Sequence, residues 1–162
     1  MRLKKNLLPL LLILVFAATC AAEVVNPAPD FSWAYSGTGT TSLKKLRGQP
    51  VVLVIAPSPD SRAFRKQADR LEDLYEQFAS RGVVFIAAFT EGAEAKIPSK
   101  IPFVVVGNGP EVAALYGVTE GFCIAVIGRD GNIDLQTSKV QSGNKVHDIV
   151  INSFEIQKDN RD

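Results

Sequence analysis

The chain has 162 residues, 46% of them hydrophobic, 22% charged and 8% aromatic, which excludes a disordered acidic or basic tail protein. Lys and Arg number 18 against 17 Asp and Glu, for a net charge of +1. That balance supplies no electrostatic footprint for nucleic acid, and no stretch gathers Lys and Arg on one face.

MRLKKN is basic, LLPLLLILVFAA is an apolar run broken only by Pro9, and the small residues TCAA precede Glu23. This is the layout of a secretory signal, and the run is shorter than the roughly 20 apolar residues of a spanning helix. Cleavage after Ala22 would leave residues 23–162 as one exported domain, periplasmic or extracellular, with no membrane span. Cys20 after Ala17, Ala18 and Thr19 also resembles a bacterial lipobox, which would make it a lipid-bearing terminus. Loss of residues 1–22 removes Arg2, Lys4 and Lys5 from the 18 bases, so 15 face 17 acids and the net charge becomes −2. It also removes one of two cysteines, so Cys123 alone remains and no internal disulfide can form. Stability then rests on the core, and a domain of this size buries about two-thirds of its unfolded surface.

NPAPD at 26–30 reads as an extended leading segment, and FSWAY then alternates, with Phe31, Trp33 and Tyr35 on one side. SGTGTT reads as a loop, and its Gly37, Thr38 and Gly39 as turn chemistry without the spacing of a nucleotide loop. SLKKLRG predicts a helical turn closed by Gly48. VVLVIA at 51–56 has the apolar, β-branched pattern of a strand covered on both faces. Next, Phe64, Ala68, Leu71, Tyr75 and Phe78 draw one helical stripe through PSPDSRAFRKQADRLEDLYEQFASRG. Ser58, Asp60 or Ser61 is placed to cap that helix, Pro59 lies near its first position, and Gly82 can stop it. VVFIAAF at 83–89 is a second apolar strand, so strand, helix and strand predict a parallel crossover. EGAEAKIPSK reads as a polar linker, IPFVVV as extended chain and PEVAALYG as a short helix. FCIAVI, the turn RDG and NIDLQT predict a hairpin in which strand 123–127 pairs antiparallel with strand 132–137. A closing helix follows Gly143, with Val146, Ile149, Val150 and Phe154 on its apolar stripe.

This order resembles the thioredoxin fold, an α/β architecture of three layers with a mixed central sheet and helices on both faces. APDFSWAYSGTGTTSLKKLRGQPVVLVIAPS is similar to the opening of peroxiredoxin and redoxin domains. IPFVVVGNGPEVAALYGV and IGRDGNI are similar to their later helix and hairpin, so the resemblance covers most of residues 28–155. APSPDSRAFRKQ, IGRDG and SFEIQKDNR further resemble a bacterial family of small exported thioredoxin-like domains of unknown function. The resemblance implies a redox centre at the head of the helix after VVLVIA, and the chain departs from it there. Asp60 and Ala63 stand at the Cys-x-x-Cys positions of redoxins. In the peroxiredoxin pattern Pro57 and Ser61 match its Pro and Thr, and Phe64 takes the place of the peroxidatic cysteine. The proline that faces the redox pair belongs near Phe122, and no proline follows Pro110.

Two functions follow as expectations. One is a non-catalytic binding or accessory module, taking an unknown protein or small ligand at Pro57, Asp60, Ser61, Arg62 and Phe122. The helix N-terminus there could hold an anion or partner, although the same residues also suit simple capping. The alternative is a one-cysteine thiol oxidoreductase or peroxidase using Cys123, which requires that thiol exposed beside a cation or helix N-terminus. The apolar neighbours in CIAVI instead suit a buried core thiol. His147 is the only histidine and flanks the closing stripe, so no metal and no cofactor are expected.

Overall fold

The structure is a computed structural model that describes residues 25–35, 39–91 and 96–159. The leader-like segment with Cys20 and the Gly37–Thr38 turn lie outside the described residues, as do the side chains of Tyr35 and Phe154. None of the described helices is long and apolar enough to cross a membrane.

The three apolar runs and two weaker ones build one five-stranded sheet. β3 (Val51–Ala56), β4 (Val84–Phe89), β5 (Val104–Val106), β6 (Cys123–Ile127) and β7 (Ile133–Thr137) stand in the order β5-β4-β3-β6-β7. β3 pairs parallel with β4 and antiparallel with β6, so Leu53 lies between Ile86 and Ala125. β5 extends the parallel half, and the stretch read only as extended chain is thus an edge strand. β6 and β7 pair antiparallel as expected, across the turn that Gly131 makes at φ 83°. The Asp130 carboxylate accepts the Asn132 N–H in that turn, at 2.9 Å.

Ahead of the sheet, β1 (Ser32–Tyr35) and β2 (Gly39–Ser42) form a separate antiparallel hairpin. Residues 39–41 are therefore strand rather than loop. Thr40 and Thr41 are β-branched and pair with Ala34 and Trp33, which outweighs the glycine-rich composition. The 26–28 segment settles against the β6–β7 turn through Ala28 N–H to Gly131 O, at 3.0 Å.

The long apolar stripe is not one helix. α1 (Arg62–Glu72) and α2 (Tyr75–Ala79) are separated at Leu74, whose φ of −116° and ψ of 13° leave the helical region. The break coincides with the packing of Gly143, first residue of α4 (Gly143–Asp159), against the Arg70 carbonyl and the Leu74 side chain. α3 (Gly109–Leu115) completes the set.

Strand side chains alternate between faces. Val52, Val54, Ala56, Ile124 and Val126 meet Phe64 and Leu71 of α1, Phe78 of α2, and Val146 and Val150 of α4. Val51, Leu53, Ile55, Ala125 and Ile127 meet Phe31, Trp33, Leu43, and Val112, Ala113 and Tyr116 in and beside α3. The result is the expected three-layer α/β arrangement with a mixed sheet.

Candidate functional site

The loop from Pro57 to Ser61 carries the chain from the end of β3 into α1. Its first carbonyl, on Pro57, accepts the Glu91 N–H at 2.8 Å, and Ser61 N–H donates to the Ser58 carbonyl at 3.1 Å. Asp60 and Arg62 are exposed, Pro57 and Ser61 are half-buried, and Pro59 is buried. α1 begins at Arg62, so Pro59 belongs to the preceding turn and not to the first helical position.

The expected cap is not made. Ser61 has the extended conformation of an N-cap, φ −60° and ψ 136°, yet no side chain bonds the free N–H groups of α1. The turn closed on the Ser58 carbonyl leaves the Ser61 hydroxyl buried with no hydrogen-bond partner. The first turn also lacks an acidic residue and opens on Arg62, so a cation stands at the positive end of the helix.

Phe122 and Cys123 are adjacent in sequence and fall on opposite faces of the sheet. Phe122 is 8% exposed and packs in the cluster that contains Phe64, on the α1 side. Cys123 is 4% exposed and packs in the cluster that contains Phe31 and Tyr116, on the α3 side. The sheet therefore stands between the one described thiol and the head of α1. Burial pushes the Cys123 pKa up, and a hydrogen bond that the sulfur accepts from the Thr137 backbone offsets part of that. Tyr116 is pushed up in the same way, by burial first and then by the nearby Asp30 charge. Its hydroxyl donates to the Pro29 carbonyl at 3.2 Å.

A direct consequence concerns thiol reactivity. An aromatic disulfide reagent at pH 8 is expected to label Cys123 negligibly in the native protein and fully in urea. Rapid native labelling, followed by absorbance and lost in a Cys123→Ser variant, would contradict the burial.

Around these residues the surface is indented. A cavity of about 420 Å³ is walled by Tyr116, Glu120, Phe122, Cys123 and Thr137. Two others, of about 470 and 410 Å³, share Trp33 and Thr40 and flank β5. Among the described residues, His, Cys, Asp and Glu nowhere gather in a group of three or more that could hold a metal ion. His147 is half-buried, its ring edge-on to Phe78 at 5.6 Å between centroids.

One organising residue escaped the reading of the sequence. Gln67 has no exposed surface, and its amide clasps the backbone of Gln141, accepting from the N–H at 2.7 Å and donating to the carbonyl at 3.2 Å. The signal was available, since Gln67 lies between Phe64 and Leu71 on the apolar side of the helix.

The sheet order, the two-sided core and the loop at the head of α1 define a thioredoxin-like α/β protein. Residues 24–135 match the AhpC/TSA family, and the chain belongs to that family. It is 29% identical to the chloroplastic peroxiredoxin Q of Oryza sativa subsp. japonica over 138 residues, 82% of this chain and 61% of that protein. The chain thus spans about three-fifths of the length of that curated relative. Among solved structures it is similar to a thiol:disulfide interchange protein of the thioredoxin family from Chlorobium tepidum TLS. The TM-score is 0.60 at 21% identity, covering 82% of this chain and 99% of that one. It is also similar to peroxidoxin BcpB from Mycobacterium tuberculosis, with a TM-score of 0.58 at 18% identity over 82% of this chain and 96% of that one.

Proposed function

We propose that this chain is an exported, non-catalytic member of its family, which binds a partner or small ligand at the head of α1. The observation that carries the reading is the separation of Cys123 from that position by the thickness of the sheet. The thiol chemistry in the names of the relatives needs a thiolate where this chain has Asp60, Ala63 and Phe64. Cys123 cannot take over, being buried with a raised pKa and packed among Phe31 and Tyr116. What the head of α1 offers instead is recognition: exposed Asp60 and Arg62, uncapped N–H groups and a loop tied by two backbone hydrogen bonds. Export rests on the basic, apolar and small-residue sequence of the first 22 positions.

The test is turnover of peroxide and of an insulin-type disulfide by the protein beside a Cys123→Ser variant. No turnover above background is expected from either. Turnover that disappears in Cys123→Ser would overturn the reading and establish a one-cysteine oxidoreductase. For the recognition surface, Asp60→Ala with Arg62→Ala is expected to release captured partners, and unchanged capture would count against it.

A further inference from the structure

We propose that the exposed face of the first turns of α1 receives a short acidic segment of a partner protein. The inference rests on the head of α1 being a recognition surface, and it names the chemistry that is recognised. Arg62, Arg65 and Lys66 are neighbours at helical spacing, all three exposed, on the side of α1 away from buried Phe64, Gln67, Ala68 and Leu71. The near-even overall charge concealed this face, and the helix corrects the expectation that no Lys and Arg gather on one side. Lys139 adds a fourth exposed cation, two residues from the Gln141 backbone that Gln67 clasps against the same helix.

The charges on α1 are unanswered within the chain. Among the described residues none of the three helical cations forms an ion pair, either with Asp60 and Asp69, the acids nearest in sequence, or with any other. The helix itself opposes them. Its N-terminal end is the positive pole, its first turn holds no acidic residue and no side chain caps it, so Arg62 stands where an anion is favoured. The fold gains nothing from that placement, whereas an anionic partner meets three cations and the helix pole in one approach. The spacing sets the size of the segment. Arg62 and Lys66 are four residues apart, about 6 Å along the helix axis. An extended chain covers that distance in about two residues, so two or three successive Asp or Glu residues span the face. Every group involved is exposed, which makes the encounter weak and sensitive to salt.

The probe is acetyl-hexaglutamate amide, titrated into the unaltered protein and followed by NMR, beside acetyl-hexaglutamine amide. At an ionic strength of about 0.02 M the acidic peptide is expected to shift the backbone amides of 61–67 saturably, with affinity at least roughly tenfold above that of the neutral one. Raising the ionic strength to about 0.15 M should weaken it about fivefold. Arg65→Gln with Lys66→Gln keeps good helix formers at exposed positions and should abolish the shifts. Arg62→Glu separates recognition from folding. It should weaken binding while raising the thermal midpoint by about 2 °C, because an acid then stands at the positive pole. A lowered midpoint would show that Arg62 serves the fold, and would count against the proposal. The proposal falls if the neutral peptide binds as tightly, if Arg65→Gln with Lys66→Gln leaves the shifts intact, or if the shifts gather away from 61–67. It falls equally if vesicles of anionic phospholipid bind and the peptide does not. Those failures leave the head of α1 as a site for another kind of partner, whereas capture unchanged by Asp60→Ala with Arg62→Ala removes the site itself.

Discussion

Replacing Gly109 by Ala is expected to lower the stability of the fold by about 3 kcal/mol, at the upper end for an added methyl group. A Cβ at that position would run into the Phe89 carbonyl oxygen, with the Phe89 carbonyl carbon 2.6 Å and its nitrogen 2.8 Å away. Neither partner can retreat cheaply. Phe89 closes β4 opposite Ala56, is 2% exposed, and its ring lies edge-on to Phe64 with centroids 5.0 Å apart. On the other side, Gly109 opens α3, whose Val112 and Ala113 are held in the opposite core. Gly107→Ala is the control, because its Cβ would meet nothing within 4 Å. Its effect should stay within about 1 kcal/mol and could favour the folded state by restricting the unfolded chain. Urea unfolding of both variants decides the matter, and equal midpoints at equal slope would refute the clash.

The second large effect concerns Gln67. Gln67→Leu keeps the volume but strands the Gln141 N–H and carbonyl, two groups whose desolvation together costs about 3 kcal/mol. Gln67→Glu asks a sharper question. The carboxylate retains the acceptor for the Gln141 N–H but loses the donor and brings a charge into a site with no exposed surface. Burial raises the pKa of such a group in the folded state above its unfolded value of about 4.3. The folded state then binds the proton more tightly, so stability is retained below the unfolded pKa and declines as pH climbs from there towards the raised value. The difference in thermal midpoint between Gln67→Glu and the unaltered protein should therefore widen from pH 4 to pH 8. A difference that stays flat would show that the side chain has swung out to water.

Much of this architecture was legible because the strands are short apolar runs that are buried on both faces. VVLVIA, VVFIAAF and FCIAVI admit little but central strands, and Asp130-Gly131 marks the hairpin between β6 and β7. The strand from 39 to 42 was hidden because its evidence is pairing, not composition: Thr40 and Thr41 become strand only against Ala34 and Trp33. The break after α1 was equally hidden, since the stripe from Phe64 to Phe78 keeps helical spacing across it while α4 packs where the helix ends. For the site, the absence of cysteines at Asp60, Ala63 and Phe64 could be read directly. The missing cap at Ser61 could not, because a serine at that place ordinarily bonds the helix end. The two cavities at Trp33 draw on residues from 32 to 108, and no local pattern announces such a meeting.

The alternation at Phe122 and Cys123 has a consequence for how the thiol meets disulfides. A thiol held at the surface exchanges with passing disulfides and drags its protein into mixed adducts with glutathione-like molecules or with other copies. Here the sulfur atom faces inward on the far side of the sheet from the Pro57–Ser61 loop, and it behaves as hydrocarbon filling. A molecule that met that loop would not find the Cys123 thiol within reach, so the encounter would carry no covalent trap at Cys123 to be undone by a reductant.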